Sequence, residues 1–240
     1  MLMKTRFLTY FLLLCAVLVS CNRTDRRLRD IDSIMESAPE TALEQLQQIN
    51  PKELSESDYA FYALQFTQAQ TKCHIVVDSD SLISAAYKKY AARPSGNLKM
   101  RTLFYNAMVF FNKSDFKSSM KDAVAAYDIA KESEDSYWIA KTAELISDIL
   151  WYVYNYSQAE IYEHEAVENY LLAGRIDNHR YALCDLASIY MNENKMNEGI
   201  MLIDSLYMFV TNEMPVDSAL LEYGKCKSVC SLGKRRVKFA

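Results

Sequence analysis

The residue types that could support catalysis or metal binding are few and widely spaced in this sequence. Its three histidines, His74, His164 and His179, share no metal-ligand spacing with one another or with a cysteine pair. The run Glu163-His164-Glu165 is typical of a solvated helix face. No Gly-rich phosphate loop, Gly-x-Ser-x-Gly elbow or His-Glu-x-x-His pair occurs in the sequence. We therefore expect no catalytic residue, no metal and no cofactor, and a protein that is not an enzyme.

Four of the cysteines could take part in redox chemistry or remain structural. Cys226 and Cys230 are four residues apart and could share a helix face, but a zinc site usually takes two such pairs. A disulfide between them would be strained at that spacing, so the paired and the unpaired states both stay open. Cys73 and Cys184 lie in apolar helical segments and are predicted to be free thiols in the core.

Cys21 has a more specific setting. Lys4 and Arg6 precede an apolar run of about 13 residues, Phe7–Val19, which has the form of a secretory signal and is too short to span a bilayer. The segment ends Leu18-Val19-Ser20-Cys21, which resembles the lipobox of bacterial lipoproteins. The resemblance implies a diacylglycerol thioether on Cys21, cleavage before it, and acylation of the new N-terminus, so that several acyl chains hold the membrane. The alternative is an ordinary signal peptide that is cut elsewhere.

The lipobox resemblance also implies an order of segments and a location. Residues 1–20 would be the lipoprotein signal peptide and 21–26 a lipid-anchored linker. Helical periodicity predicts a repeat domain over residues 27–224. Residues 225–240 form a basic tail that is either disordered or the end of a truncated version of a longer protein. Asn22, where some lipoproteins carry Asp, favours the outer membrane of a Gram-negative envelope, with the chain facing the periplasm.

Charge argues against one class of partner. Of 27 basic and 31 acidic residues, eight basic ones lie in residues 1–20 or after Gly224, where no acidic residue occurs. The body of the chain is therefore acidic, whereas a nucleic-acid-binding face needs a basic stripe, and we expect no nucleic-acid partner. The four arginines between positions 23 and 29 indicate a solvated linker and polar helix face, or a contact with anionic headgroups.

The elements that position these residues are predicted to be helices in a repeat. Only 5 Gly and 4 Pro occur in 240 residues, which favours long helices with short connections. From about Met100, three units align at a spacing of 40 residues. A unit of this size must stack on its neighbours to bury its apolar face. Equivalent positions of the three units hold side chains of similar size. Small side chains occupy two of these positions: Ala107, Ser147 and Ala187 at the first, and Ser119, Ala159 and Gly199 at the second. Large side chains occupy two others: Phe110, Leu150 and Tyr190, and Phe116, Tyr156 and Met196.

This pattern resembles the tetratricopeptide repeat, most closely in Asn155-Tyr156-Ser157-Gln158-Ala159 and from Leu183 to Gly199. The resemblance covers residues 100–210 and extends more loosely towards the N-terminus. It implies an all-α fold, a right-handed α-solenoid of antiparallel helix pairs. The usual period is about 34 residues and no Pro closes these units, so a HEAT-like helix pair is the structural alternative.

Tetratricopeptide-like arrays bind peptides or protein segments on the concave face that their first helices build. We expect a membrane-anchored scaffold with a protein or peptide partner in the cell envelope. The alternatives are a glycan-binding outer-membrane lipoprotein and the sensory half of a longer regulatory protein. Carried over residue by residue, the resemblance implies a partner-binding face of mixed aromatic and polar side chains: Arg101, Tyr105, Met108, Asn112, Lys141, Glu144, Asp148, Trp151, Tyr152, Tyr181, Asp185 and Asn192.

Overall fold

A computed structural model describes residues 24–213 of the chain. Cys21, the predicted signal segment and the tail with Cys226 and Cys230 lie outside these residues. Within them the chain is helical and contains no strand, which confirms the all-α prediction. Ten α-helices follow one another across this range: α1 Arg26–Ile34, α2 Pro39–Gln47, α3 Glu56–Lys72, α4 Ile83–Tyr90, α5 Asn97–Asn112, α6 Phe116–Glu132, α7 Ser136–Tyr152, α8 Tyr156–Leu172, α9 Ile176–Asn192 and α10 Met196–Glu213.

The helices form two compact units. The first contains α1 to α3 and nearly all of α4, and the second contains α5 to α10. Within the first unit α1, α2 and α3 pack against their neighbours in sequence, and within the second unit α5 to α10 do the same, as in an α-solenoid. Across the described range, no helix combines the length and apolar character needed to cross a membrane.

The first unit is held together by apolar contacts and by buried side-chain amides. Leu28 on α1, Leu46 on α2 and Leu64 on α3 have no exposed surface. Gln65 is also fully buried, and its Nε2 donates to the carbonyl oxygen of Leu28 at 2.8 Å. Ser55 caps α3, because its hydroxyl accepts a hydrogen bond from the backbone N–H of Asp58.

The second compact unit contains three helix pairs, and the boundaries of their helices show the predicted 40-residue period. The second helices of the three pairs, α6, α8 and α10, begin at Phe116, Tyr156 and Met196. The first helices, α5, α7 and α9, end at Asn112, Tyr152 and Asn192. The repeat-like helical arrangement inferred from the sequence is therefore present in the structure.

A common turn closes each helix pair. Ser114, Tyr154 and Asn194 adopt φ values of 59°, 63° and 62°, in the left-handed region. In each turn the next N–H bonds back across the helix end; the Asn155 N–H, for example, donates to the Leu150 carbonyl at 2.9 Å. This is the Schellman arrangement, here built without glycine.

Small side chains let the two helices of each pair in the second unit approach closely. The Ser119 hydroxyl donates to the Ala107 carbonyl at 2.8 Å, and the Ser147 hydroxyl donates to the Ala159 carbonyl at 3.1 Å. A Cβ atom added at Gly199 would lie 3.1 Å from the Ala187 carbonyl oxygen. A larger side chain at these positions would overlap the backbone of the facing helix.

The two core cysteines differ from each other. Cys73 is a free, partly buried thiol, as predicted. Cys184 is buried and disulfide-bonded, so the prediction of a free thiol was wrong for this residue. An apolar helical context shows that a cysteine is buried, but it does not show whether another thiol lies within reach.

Candidate binding cavity

A cavity of about 190 Å³ opens among the helices of the second unit. Its walls come from α7, α8 and α9, and α8 packs against both of the others. The lining combines carboxylates, hydroxyls and two aromatic rings: Ser147, Asp148, Trp151, Tyr152, Glu163, Asp185, Ser188 and Ile189.

Helical spacing explains why α7 and α9 present these side chains together. Asp148, Trp151 and Tyr152 are separated by three and four residues, so they share one face of α7. Asp185 and Ser188 share a face of α9 for the same reason. The repeat places both first helices side by side, and the cavity lies where these two faces converge.

Glu163 enters the cavity from α8 and is the most buried of its acids. The side chain is 1% exposed, and Oε1 is buried without a hydrogen-bond partner in the described part of the chain. Burial raises the pKa of Glu163 well above its ordinary value, and the charge of Asp185 raises it further. Hydrogen bonding with Ser147 acts in the opposite direction. The prediction that the run around His164 forms a solvated face was therefore wrong for Glu163.

A sequence signal for Glu163 exists, but it is indirect. Ala159, Glu163, Ala166 and Tyr170 recur at helical spacing on α8, and all four are buried. The acid therefore occupies a core position in the buried stripe of that helix. His164 and the residues beside it obscure this stripe, because three charged or polar residues in succession look like surface.

Asp148 on α7 and Asp185 on α9 both line the cavity, close enough for their charges to interact. Both are partly buried, and neither makes a hydrogen bond or ion pair among residues 24–213. Burial raises the pKa of Asp148 well above its ordinary value, and the charges of Asp185 and Glu144 add to this effect. Burial and the charge of Glu144 raise the pKa of Asp185 to about 7.

Glu144 lies close enough to act on this pair by its charge, and it has partners of its own. The fully buried Tyr170 hydroxyl donates to Glu144 Oε2 at 2.5 Å. Burial raises the pKa of Glu144, although the hydrogen bond from Tyr170 and the charge of Lys141 lower it. Glu144 thus has a hydrogen-bond donor and a nearby cation, whereas the acids that line the cavity form no ion pair among the described residues.

The aromatic side of the cavity is held in place by ring contacts. Tyr152 is 41% exposed, and its ring stacks on Phe116 at 5.5 Å between centroids. Its edge meets Phe111 at 5.2 Å and Trp151 at 5.2 Å. These contacts fix the orientation of Tyr152 before any ligand binds.

Several residues of the predicted partner-binding face lie in the interior instead. Tyr105 has no exposed surface and Arg101 is nearly buried, so neither presents an accessible wall. Lys141 Nζ lies 3.2 Å from the Tyr105 hydroxyl and within 4.8–5.7 Å of four ring centroids, those of Phe104, Tyr105, Tyr137 and Trp138. Dense aromatic packing between α5 and α7 therefore encloses these residues, which the tetratricopeptide resemblance placed on the partner-binding face.

The remaining predicted residues lie outside the cavity lining. Asn112 Nδ2 donates to the Val77 carbonyl at 2.9 Å, and Asn192 Nδ2 donates to the Ser188 carbonyl at 2.8 Å. Tyr181 is 46% exposed, and Met108 is partly buried. From the predicted set, the structure brings together Asp148, Trp151, Tyr152 and Asp185 around one cavity.

The donor set of the cavity does not have the geometry of a metal site. Among residues 24–213, no group of three or more His, Cys, Asp or Glu side chains is arranged to hold a metal ion. The cavity acids are therefore a set of oxygen acceptors with aromatic neighbours, an arrangement suited to organic cations and hydrogen-bond donors.

Comparison with known proteins supports the fold. No family model matches the chain, and no curated protein sequence matches it. The structure is similar to the crystal structure of BtubC (BKLC) from P. vanneervenii, with a TM-score of 0.52 and 14% sequence identity. The similarity covers 89% of this chain and 91% of that one. At this level of identity, the likeness extends to the helical fold alone.

Proposed function

We propose that this chain is a scaffold that binds a protein or peptide segment in the cell envelope, with lipid on Cys21 as its membrane tether. The observation that carries the binding proposal is the cavity between α7, α8 and α9. It combines a partly exposed aromatic residue, Tyr152, with carboxylates that form no ion pair among the described residues. Aromatic residues beside polar groups are the usual anchors of protein interfaces.

The size of the cavity favours a peptide side chain over a larger ligand. Sites for drug-sized molecules usually measure about 300–1,000 Å³, whereas this cavity measures about 190 Å³. One long side chain of an extended segment fills such a volume. The rest of the segment would then lie along the faces of α7 and α9, beside Tyr152.

Photocrosslinking at Tyr152 tests the scaffold. We expect a p-benzoylphenylalanine side chain at this position to capture a discrete protein in intact cells, because the partner must pass over the Tyr152 ring. The matched control is Leu172, which is 75% exposed at the end of α8 and does not line the cavity. The adduct should disappear when Asp148 is changed to Ala in the same protein.

Two results would contradict the scaffold. One is the absence of any protein adduct at position 152 under conditions in which the chain is folded and abundant. The other is the same set of adducts at positions 152 and 172, since that pattern reports random collisions. A glycan partner would give the first result.

A further inference from the structure

We infer that the cavity binds an organic cation, the ammonium or guanidinium group at the end of a lysine or arginine side chain. The inference rests on the proposed function and names the chemistry that the bound segment must present. It stands on the convergence of Asp148, Glu163 and Asp185 from three different helices on one cavity, together with the buried and unpartnered Oε1 atom of Glu163.

These three acids differ from other partly buried acids of the second unit. Glu160 accepts from Lys195 at 2.5 Å, and Glu165 accepts from Lys131 at 2.5 Å. Asp148, Glu163 and Asp185 form no ion pair within the described residues. Carboxylates at this depth normally have a counterion, because an unpaired buried charge is costly. The missing counterion is what a bound cation supplies.

Among the described residues, the charged and titratable groups around the cavity supply no counterion for the three lining acids. On α7 they are Lys141, Glu144 and Asp148. On α8 they are Glu163 and Tyr170, and on α9 the group is Asp185. Lys141 is the cation of this set, and it is engaged by Tyr105 and by the aromatic rings around it. It acts on Glu144 rather than on the three lining acids.

The rings beside the acids suit the same ligand. A guanidinium or ammonium group is attracted to the face of Trp or Tyr, and a guanidinium can also fork between two carboxylates. Trp151 and Tyr152 border the cavity beside Asp148 on the same helix face. An extended side chain entering past Tyr152 would bring its charged end to Asp148 and Asp185, and its deepest N–H to Glu163 Oε1.

The protein carries a built-in reporter for this test. Its two tryptophans are Trp138, which is buried, and Trp151, which lines the cavity, so Trp138→Phe leaves one fluorophore at the site. The probes are short peptides with blocked termini and a central arginine, lysine or citrulline, and they carry no other charged residue. We expect a saturable change in Trp151 fluorescence with the arginine and lysine peptides. Citrulline has the shape of arginine without its charge, and its peptide should bind at least about tenfold more weakly, a loss of about 1.4 kcal/mol.

Isosteric substitutions locate the effect. Glu163→Gln should weaken the arginine peptide about tenfold or more, whereas Glu168→Gln, an exposed position on the same helix, should leave binding unchanged. If Glu163→Gln loses its helical circular dichroism, Asp185→Asn in the cavity lining provides the same comparison. Equal binding of arginine and citrulline peptides would overturn the inference, as would equal binding by the Glu163 and Glu168 variants. A fluorescence response to calcium chloride alone would also overturn it, in favour of a metal.

The source of the cation is resolved by one further titration. Butylguanidine carries the charged group without a peptide, and we expect it to bind much more weakly than the arginine peptide. Equal affinity for butylguanidine and for the arginine peptide would assign the site to small organic cations. The inference that a peptide supplies the cation would then be wrong. The outcomes remain distinguishable from those of the scaffold test, since crosslinking at Tyr152 reports a protein partner whatever its charge.

Discussion

At the scale of single residues, the carboxyl groups of Asp148, Glu163 and Asp185 lose water on folding and gain no cation from the described residues. Desolvation disfavours the charged form, so each group holds its proton to a higher pH than it does in water. The folded protein therefore binds more protons than the unfolded chain over a range near neutral pH. A cation that enters the cavity must displace those protons.

We expect the free energy of unfolding to fall as the pH rises from about 4 to above about 7. Asp185 has an ordinary pKa of 3.8 in the unfolded chain and a pKa of about 7 in the folded one. Its contribution to stability is therefore complete below the unfolded value and is lost as the pH rises through the folded value. Asp185→Asn, which stays neutral, should reduce this slope in urea denaturation across that pH range.

The control for this measurement is Asp204→Asn, an exposed aspartate on α10. It should leave the pH dependence of stability as it is in the parent protein. If Asp185→Asn and Asp204→Asn change the slope equally, Asp185 is solvated in solution and the cavity is more open than the structure indicates.

Four of the eight lining residues belong to the face that the tetratricopeptide resemblance implied: Asp148, Trp151, Tyr152 and Asp185. Helical spacing puts the first three on one face of α7, which is why a resemblance in sequence could group them. Glu163 was missed because hydrophobicity patterns assign acids to the surface. Tyr105 was misplaced because its ring is amphipathic, and the pattern could not show that Lys141 and the neighbouring rings enclose it.

At the scale of helices and turns, the 40-residue period was predictable because its markers are local. Small residues mark the close crossings, and the helices end at equivalent positions. His74 lies one 40-residue period before Ser114 and has φ 57°. It follows the end of α3 and forms the same type of turn. The helix that follows was harder to predict. It spans just Ile83–Tyr90, because Val76-Val77-Asp78-Ser79-Asp80 combines β-branched and side-chain-bonding residues that disfavour helix.

The small position on α8 gives a sharp test of helix register. Ala159 has no exposed surface, and its carbonyl accepts a hydrogen bond from Ser147 of the facing helix. Ala159→Leu should lower the free energy of unfolding by about 1–3 kcal/mol, because the added atoms overlap α7. Gln158→Leu, one residue earlier and exposed, should change it by less than about 0.5 kcal/mol. Similar losses in the two variants, measured by urea denaturation, would mean that the register is wrong.

At the scale of the whole molecule, α1 begins five residues after Cys21, the proposed anchor. Asp25 caps α1, and its backbone N–H donates to Asp58 Oδ1 at 3.0 Å, so this residue is held within the first unit. The chain from Cys21 to Asp25 spans at most roughly 14 Å. A lipid on Cys21 would therefore hold the first helix near the membrane surface rather than on a long tether.

The basic residues of this region have acidic neighbours of their own. Arg27 pairs with Asp25 at 2.7 Å, and Arg26 lies 3.7 Å from Asp30. This favours the solvated helix face over a headgroup-binding patch, because part of the positive charge is already compensated. The proposed membrane attachment would then depend on acyl chains rather than on charge, since two or more chains anchor a protein stably without a basic cluster.

That dependence makes Cys21 the decisive residue for location. We expect cells that express the Cys21→Ala variant and are fed an alkyne-labelled fatty acid to contain an unprocessed, unlabelled precursor, because the thiol is the group that accepts the lipid. The matched control is Cys73→Ala, which removes a free, partly buried thiol of the first unit and should leave labelling and membrane recovery unchanged. Undiminished label in the Cys21 variant, detected on a gel after click chemistry, would show that the lipobox interpretation is wrong. The cavity and its ligand would then have to be sought on a protein that is released after export or held in the envelope by other contacts.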